Sequence, residues 1–169
     1  MAVLLRTSIV RVTAGSWPKN VGRDQALGFV ADCLKRSLDY AEEKGVMLAL
    51  EDHAEIGTAI EDFTGILDLV NDERLKVNLD TSNPLRSNDS PVELAQRVKH
   101  RVVHVHASDV DDGLAHAVAG EGRVPFREIF TVLRSAGFDG WVSLEAGGER
   151  GKHGIAQGLK YIKEVWDNA

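Results

Sequence analysis

Four short segments of this chain share one pattern: an aliphatic residue, a variable one, an aliphatic one, then a side chain able to bind a metal. Leu48-Ala49-Leu50 precedes Glu51, Val77-Asn78-Leu79 precedes Asp80, Val103-His104-Val105 precedes His106, and Val142-Ser143-Leu144 precedes Glu145. A fifth segment, Val10-Arg11-Val12, has the same alternation but ends in Thr13. Such alternation is the signature of a β-strand, whose side chains point to opposite faces in turn. Glu51, Asp80, His106 and Glu145 therefore lie on the face opposite the aliphatic residues, each near the C-terminal end of its strand. Hard carboxylate oxygens with one imidazole suit Mn²⁺, Mg²⁺ or Co²⁺ better than a structural Zn²⁺, which prefers Cys and His. Three carboxylates and a dication leave the site at net −1, which suits a neutral polyol.

Two neighbours of His106 carry open alternatives. His104 points the same way but about 7 Å deeper by strand rise, as a support for the ligands or as an interior histidine satisfied by its own hydrogen bond. Asp109 either orients His106 or meets substrate, or it caps a loop.

Helical segments separate the strands. Asp24 to Lys44 is apolar-periodic through Leu27, Val30, Ala31, Leu34, Leu38 and Ala41, with Gly45 as its stop. Thr58 to about Asn71 carries Ile60, Phe63, Ile66, Leu67 and Val70 on one stripe. Ser90-Pro91-Val92-Glu93 is a capping box opening a helix to about Val98. Pro125 opens another through Ala136, closed by Gly137, and Ile155 to Trp166 reads as the last.

Strict β-α alternation implies a parallel sheet covered by helices. In a doubly wound sheet both faces of a central strand are apolar. Here one face reads Ala49, Glu51, Asn78, Asp80, His104, His106, Ser143 and Glu145, which cannot lie beneath an apolar helix. That face fits the interior and mouth of a parallel (β/α) barrel, where functional groups gather at the C-terminal strand ends. No G-x-G-x-x-G, G-x-S-x-G or Walker loop supports another fold; Gly120-Glu121-Gly122 lies in a loop and lacks the rest of a dinucleotide motif.

With 169 residues, 43% hydrophobic and 27% charged, the chain reads as a single domain over 1–169. A net charge of −6 argues against nucleic acid as a partner. The lone Cys33 excludes an intramolecular disulfide framework and fits a reducing cytoplasm. No run approaches the roughly 18 apolar residues of a membrane helix. The opening MAVLLRTSIVRV, interrupted by Arg6 and Arg11, reads as a strand rather than a signal peptide.

The segments LALEDH, VNLDTSN, VVHVHASD and GWVSLEAG, in this order, resemble the sugar isomerase and epimerase group of the xylose-isomerase-like TIM barrels. VAGEGRVPFREIFTVLRSAGFDGWVSLE also resembles that family's last βα unit. The resemblance implies a divalent metal, usually manganese, with Mg²⁺, Co²⁺ or Zn²⁺ as alternatives, held at Glu51, Asp80, His106 and Glu145. It further implies that Glu51 and Glu145 are catalytic and move protons on and off a sugar carbon through a metal-stabilised cis-enediolate. The expected partner is a small sugar or polyol, with no nucleic acid and no membrane. The family's epimerases have a His where Asn83 stands and an Arg where Asp112 stands, so substrate identity stays open among isomerases, epimerases and dehydratases. His53, Asn83 and Asp109 are the candidate substrate-binding residues; for His53 the alternative is an exposed loop histidine.

A full barrel has eight βα units in about 250 residues. This chain holds five, matching units four to eight and lacking the N-terminal three. Two strand edges, near residues 8–13 and 141–145, are then expected to lack partners, and unpaired edges template association; a homo-oligomer is expected. Two other readings compete with the enzyme: an incomplete barrel that binds a metal or a partner without catalysis, and an endonuclease-IV-like phosphodiester hydrolase. The latter needs about three Zn²⁺ and more histidine ligands than the six His here supply.

Overall fold

The computed structural model describes residues 2–145 and 150–169. They fall into two compact units divided between Asn78 and Leu79, and strand β3 contributes residues to both.

The first unit runs α1 (Ala2–Leu5), β1 (Ile9–Thr13), α2 (Arg23–Glu43), β2 (Met47–Glu51), α3 (Ala54–Gly57), α4 (Ile60–Val70) and the start of β3 (Leu75–Asp80). Strand β2 pairs in parallel with β1 on one side and β3 on the other. The register sets Arg11 beside Ala49, Thr13 beside Glu51, and Glu51 beside Asn78. Helix α2 buries Ala26, Leu27, Ala31, Leu34, Leu38 and Ala41, one stripe at helical spacing. It stops where Gly45 takes φ +63 and donates its N–H to the Glu42 carbonyl at 3.0 Å, while Val46 N–H reaches Ala41 at 3.0 Å. A side chain at Gly45 would be strained in that left-handed conformation.

The opening differs from its sequence reading. Strand β1 begins only at Ile9; Ala2–Leu5 forms a turn of helix that ends at Arg6, whose φ is +53. Ala and Leu are strong helix formers, and the left-handed residue re-aims the chain into the strand. The helix expected from Thr58 to about Asn71 is α4, which starts two residues later at Ile60 and is capped by Asn71 with φ 46; the one-turn α3 before it was not foreseen.

The second unit contains the end of β3, a 3-10 turn (Asn83–Ser87), α5 (Pro91–Val98), β4 (Val102–Ala107), β5 (Asp109–Val110), β6 (His116–Ala117), α6 (Phe126–Ser135), β7 (Trp141–Leu144) and α7 (Gly151–Asp167). The Ser90 hydroxyl accepts from Glu93 N–H at 3.3 Å and caps α5 as the capping box predicts. Strand β7 lies parallel to β4, with His104 beside Trp141 and His106 beside Ser143. The core is mostly aliphatic, with Leu94, Val105, Ile129 and Leu133 fully buried, and aromatic rings pack between α6 and α7. Phe126 and Phe130 of α6 are fully buried, and Trp166 of α7 meets Phe130 and Phe138 edge-on at centroid distances of 5.2 and 5.9 Å. The two buried phenylalanines each contribute on the order of 1.5–3 kcal/mol by burial. Helix α7 starts one turn before the predicted Ile155. The antiparallel β5–β6 hairpin, pairing Asp109 with Ala117 and Val110 with His116, was not legible as strand in the sequence.

Candidate metal and acid–base site

In the first unit Glu51 ends β2 and is 1% exposed. A carboxylate this deep needs partners. Its Oε1 accepts from Asn78 Nδ2 at 2.9 Å, and its Oε2 forms an ion pair with Arg11. Both partners project from the neighbouring strands on the same face, as the parallel register requires. Neither Arg11 nor Asn78 was singled out as a site residue by sequence; the signal was their phase, since both occupy the variable slot of the alternating pattern. His53 follows as the exposed residue capping α3, with its backbone N–H on the Glu51 carbonyl at 2.8 Å.

In the second unit Asp80, His106 and Glu145 each offer a ligand atom within 4.8 Å of the others. Asp80 Oδ1 accepts from Ser82 N–H at 2.8 Å, Asn83 N–H at 2.8 Å and Ser82 Oγ at 3.0 Å. Burial nevertheless pushes the Asp80 carboxyl above the usual carboxylate range, and the nearby Glu145 charge pushes the same way, while the hydrogen bonds hold it down. His106 Nδ1 lies 3.2 Å from Glu145 Oε2, and Glu145 keeps 48% of its side chain exposed. Two carboxylates and one imidazole converging on a partly open point form a donor set that fits a hard or borderline dication, which would relieve the cost of the buried Asp80 charge. Asn83 is buried beside Asp80 as the first residue of its 3-10 turn and meets it through the backbone.

His104 faces the same way as His106, their rings edge-on with centroids 5.4 Å apart, and its Nε2 lies 2.9 Å from Ser143 Oγ. Asp109 is buried, and its two oxygens accept from the N–H groups of Val110, Gly120, Gly122 and Val124 at 2.9, 2.9, 2.9 and 3.1 Å. The geometry therefore supports the loop-capping reading of Asp109. It also accounts for Gly122, where a Cβ would fall 2.2 Å from Asp109 Oδ1 and 2.4 Å from the Val110 carbonyl. The end of the fourth motif, Ala146-Gly147, lies outside the described residues.

Fold and strand-end chemistry together define a parallel α/β protein with acidic and imidazole groups gathered at the C-terminal ends of its strands. The chain belongs to the xylose isomerase-like TIM barrel family, whose model matches residues 1–165. It is 26% identical over 142 residues to an inosose dehydratase of Clostridium botulinum (strain Alaska E43 / Type E3), covering 73% of this chain and 48% of that protein. Among solved structures it resembles a D-tagatose 3-epimerase-like protein, with 23% identity, a TM-score of 0.83, and coverage of 98% of this chain and 64% of that one. It also resembles the IOLI protein, solved with a binding zinc atom, with 20% identity, a TM-score of 0.83, and coverage of 99% and 66%. These likenesses show the expected α/β fold of a partial TIM barrel with five parallel strands. The chain spans about half the length of the curated relatives it matches. Among the described residues no helix is long and apolar enough to cross a membrane.

Proposed function

We propose that this chain carries the metal and acid–base half of a divalent-metal-dependent isomerase or epimerase acting on a small sugar, sugar phosphate or keto-acid in the cytoplasm. The observation that carries the reading is the convergence of Asp80, His106 and Glu145 at the strand ends of the second unit. Glu51 is the fourth ligand in this reading, by its phase in β2 and its place in the family motif. Manganese is the metal we assign, because the donors are mostly carboxylate oxygen. When bound, a dication supplies Lewis-acid stabilisation of charge developing on a substrate oxygen.

The chain's own residues do the rest. Asp80 is a fixed anchor, its carboxylate oriented by Ser82 and Asn83. In this reading Glu145, half exposed, takes a proton from a substrate carbon next to a carbonyl, and Glu51 returns one. His53 and Asn83 stand beside the ligands as substrate contacts. Return of the proton to carbon gives an isomer or epimer; loss of a neighbouring hydroxyl as water gives a dehydration, the chemistry named for the inosose dehydratase relatives. Incubation with manganese and a panel of ketoses, inososes and keto-acids in deuterated water tests the reading. Product labelled at the carbon next to the carbonyl is expected. Turnover without solvent label would mean hydride transfer between carbons instead.

The proposed assembly is a homo-oligomer. Among the described residues strands β1 and β7 each pair on one side only, and Trp141 on β7 is 77% exposed. Beside β1 lies a groove of about 950 Å³ lined by Val10, Val12, Leu48 and Tyr40. Sedimentation at micromolar concentration is expected to show a dimer or larger; a cooperatively melting monomer would overturn it. The second reading, a metal-binding module without catalysis, draws on the chain spanning about half of its relatives. Manganese binding without turnover on the whole panel would favour it.

A further inference from the structure

We propose that His116 is a positioning residue for Asp80, acting through a one-way chain of hydrogen bonds within the second unit. Its consequence for metal binding rests on the reading above; its geometry does not. Ser82 Oγ lies 3.0 Å from Asp80 Oδ1 and 3.0 Å from Ser108 Oγ, and Ser108 Oγ lies 3.2 Å from His116 Nδ1. Ser82 and Ser108 are both fully buried. Their places are set by the backbone: Thr81 Oγ1 donates to the Ser108 carbonyl at 2.6 Å and accepts from Ser108 N–H at 2.9 Å. His116 stands at the far end, exposed, on β6 of the hairpin that follows β4.

Proton counting gives the chain a direction. A hydroxyl has one proton to donate, and an ionised carboxylate only accepts. The charge-assisted bond to Asp80 is the strongest in the chain, so the Ser82 proton goes there. Ser82 Oγ must then accept from the Ser108 hydroxyl, and Ser108 Oγ must accept from His116. His116 therefore carries its proton on Nδ1, and in the neutral ring Nε2 keeps its lone pair. The reverse direction would require Nε2–H and would take the Ser82 proton away from Asp80. Because Nδ1–H donates in both the neutral and the charged imidazole, the chain holds Asp80 at either charge of His116.

Two measurements on the full chain decide this. The first is a long-range ¹H–¹⁵N correlation of the metal-free protein near pH 8. It is expected to show neutral His116 protonated at Nδ1, with that bias lost in Ser108→Ala. The second is manganese titration by calorimetry. His116→Ala is expected to weaken binding by about tenfold, at the lower end of what outer partners of a metal ligand contribute. His116→Asn, which keeps an N–H donor near the Nδ1 position, is expected to restore binding to within about threefold of wild type. An Nε2–H tautomer, or His116→Ala binding manganese like wild type, would overturn the proposal. If wild type itself bound no manganese, the metal reading would fall and the tautomer alone would decide the chain.

Discussion

Two strand-end carboxylates with the same sequence signature are held in opposite ways. In the first unit Glu51 is matched by a guanidinium, Arg11, and an amide, Asn78. In the second, Asp80 Oδ1 accepts from two N–H groups and a hydroxyl, and the like charge of Glu145 is near enough to raise its proton affinity. A buried carboxylate beside a guanidinium already has its countercharge. One held by dipoles beside a second carboxylate gains most from an added cation. The contrast singles out Asp80 as the anchor of the metal proposed above, whereas Glu51 already has a countercharge in Arg11. Asp109 is a third case, a buried acid whose four backbone partners make it part of the loop.

The largest effect is expected at that third acid. Asp109→Ala removes the acceptor of four backbone N–H groups, those of Val110 and Val124 buried, and should lower stability by about 3–5 kcal/mol in urea unfolding. A stable variant with a raised KM would instead make Asp109 a substrate contact. Next, Asp80→Asn should weaken manganese binding by roughly 100-fold or more, beyond the usual loss at outer partners, and Glu145→Gln should abolish turnover with the fold intact. Metal-free Asp80→Asn should be at least as stable as wild type, since a costly buried charge is removed. Manganese binding unchanged in both variants by calorimetry would remove the metal from the second unit. Arg11→Met comes third. Its guanidinium side chain is 45% exposed, so the loss is screened to about 1–2 kcal/mol of stability, while manganese should bind several-fold tighter if Glu51 is a ligand. Weaker binding would make Arg11 part of the site. The smallest is His53→Ala, an exposed position where thermal melting should stay within about 0.5 kcal/mol of wild type, leaving any change in KM to report substrate contact.

Much of this was legible in the sequence because it is local. Period-two alternation placed Glu51, Asp80, His106 and Glu145 on one face of their strands, and the α2 stripe and the Ser90 capping box set helices at their observed places. The one-turn helices at Ala2–Leu5 and Ala54–Gly57 were missed, since a single turn leaves no period to read. The β5–β6 hairpin was missed because two-residue strands carry no alternation.

What the sequence by itself determined was the phase and chemistry of the strand ends, since a strand's geometry fixes which side chains share a face. What only the tertiary structure decided was the partner of each acid. Arg11 reaches Glu51 across 40 residues, and Ser108 reaches Ser82 across 26. Those meetings depend on strand register and on the path of the loops after the strands, which no local pattern encodes.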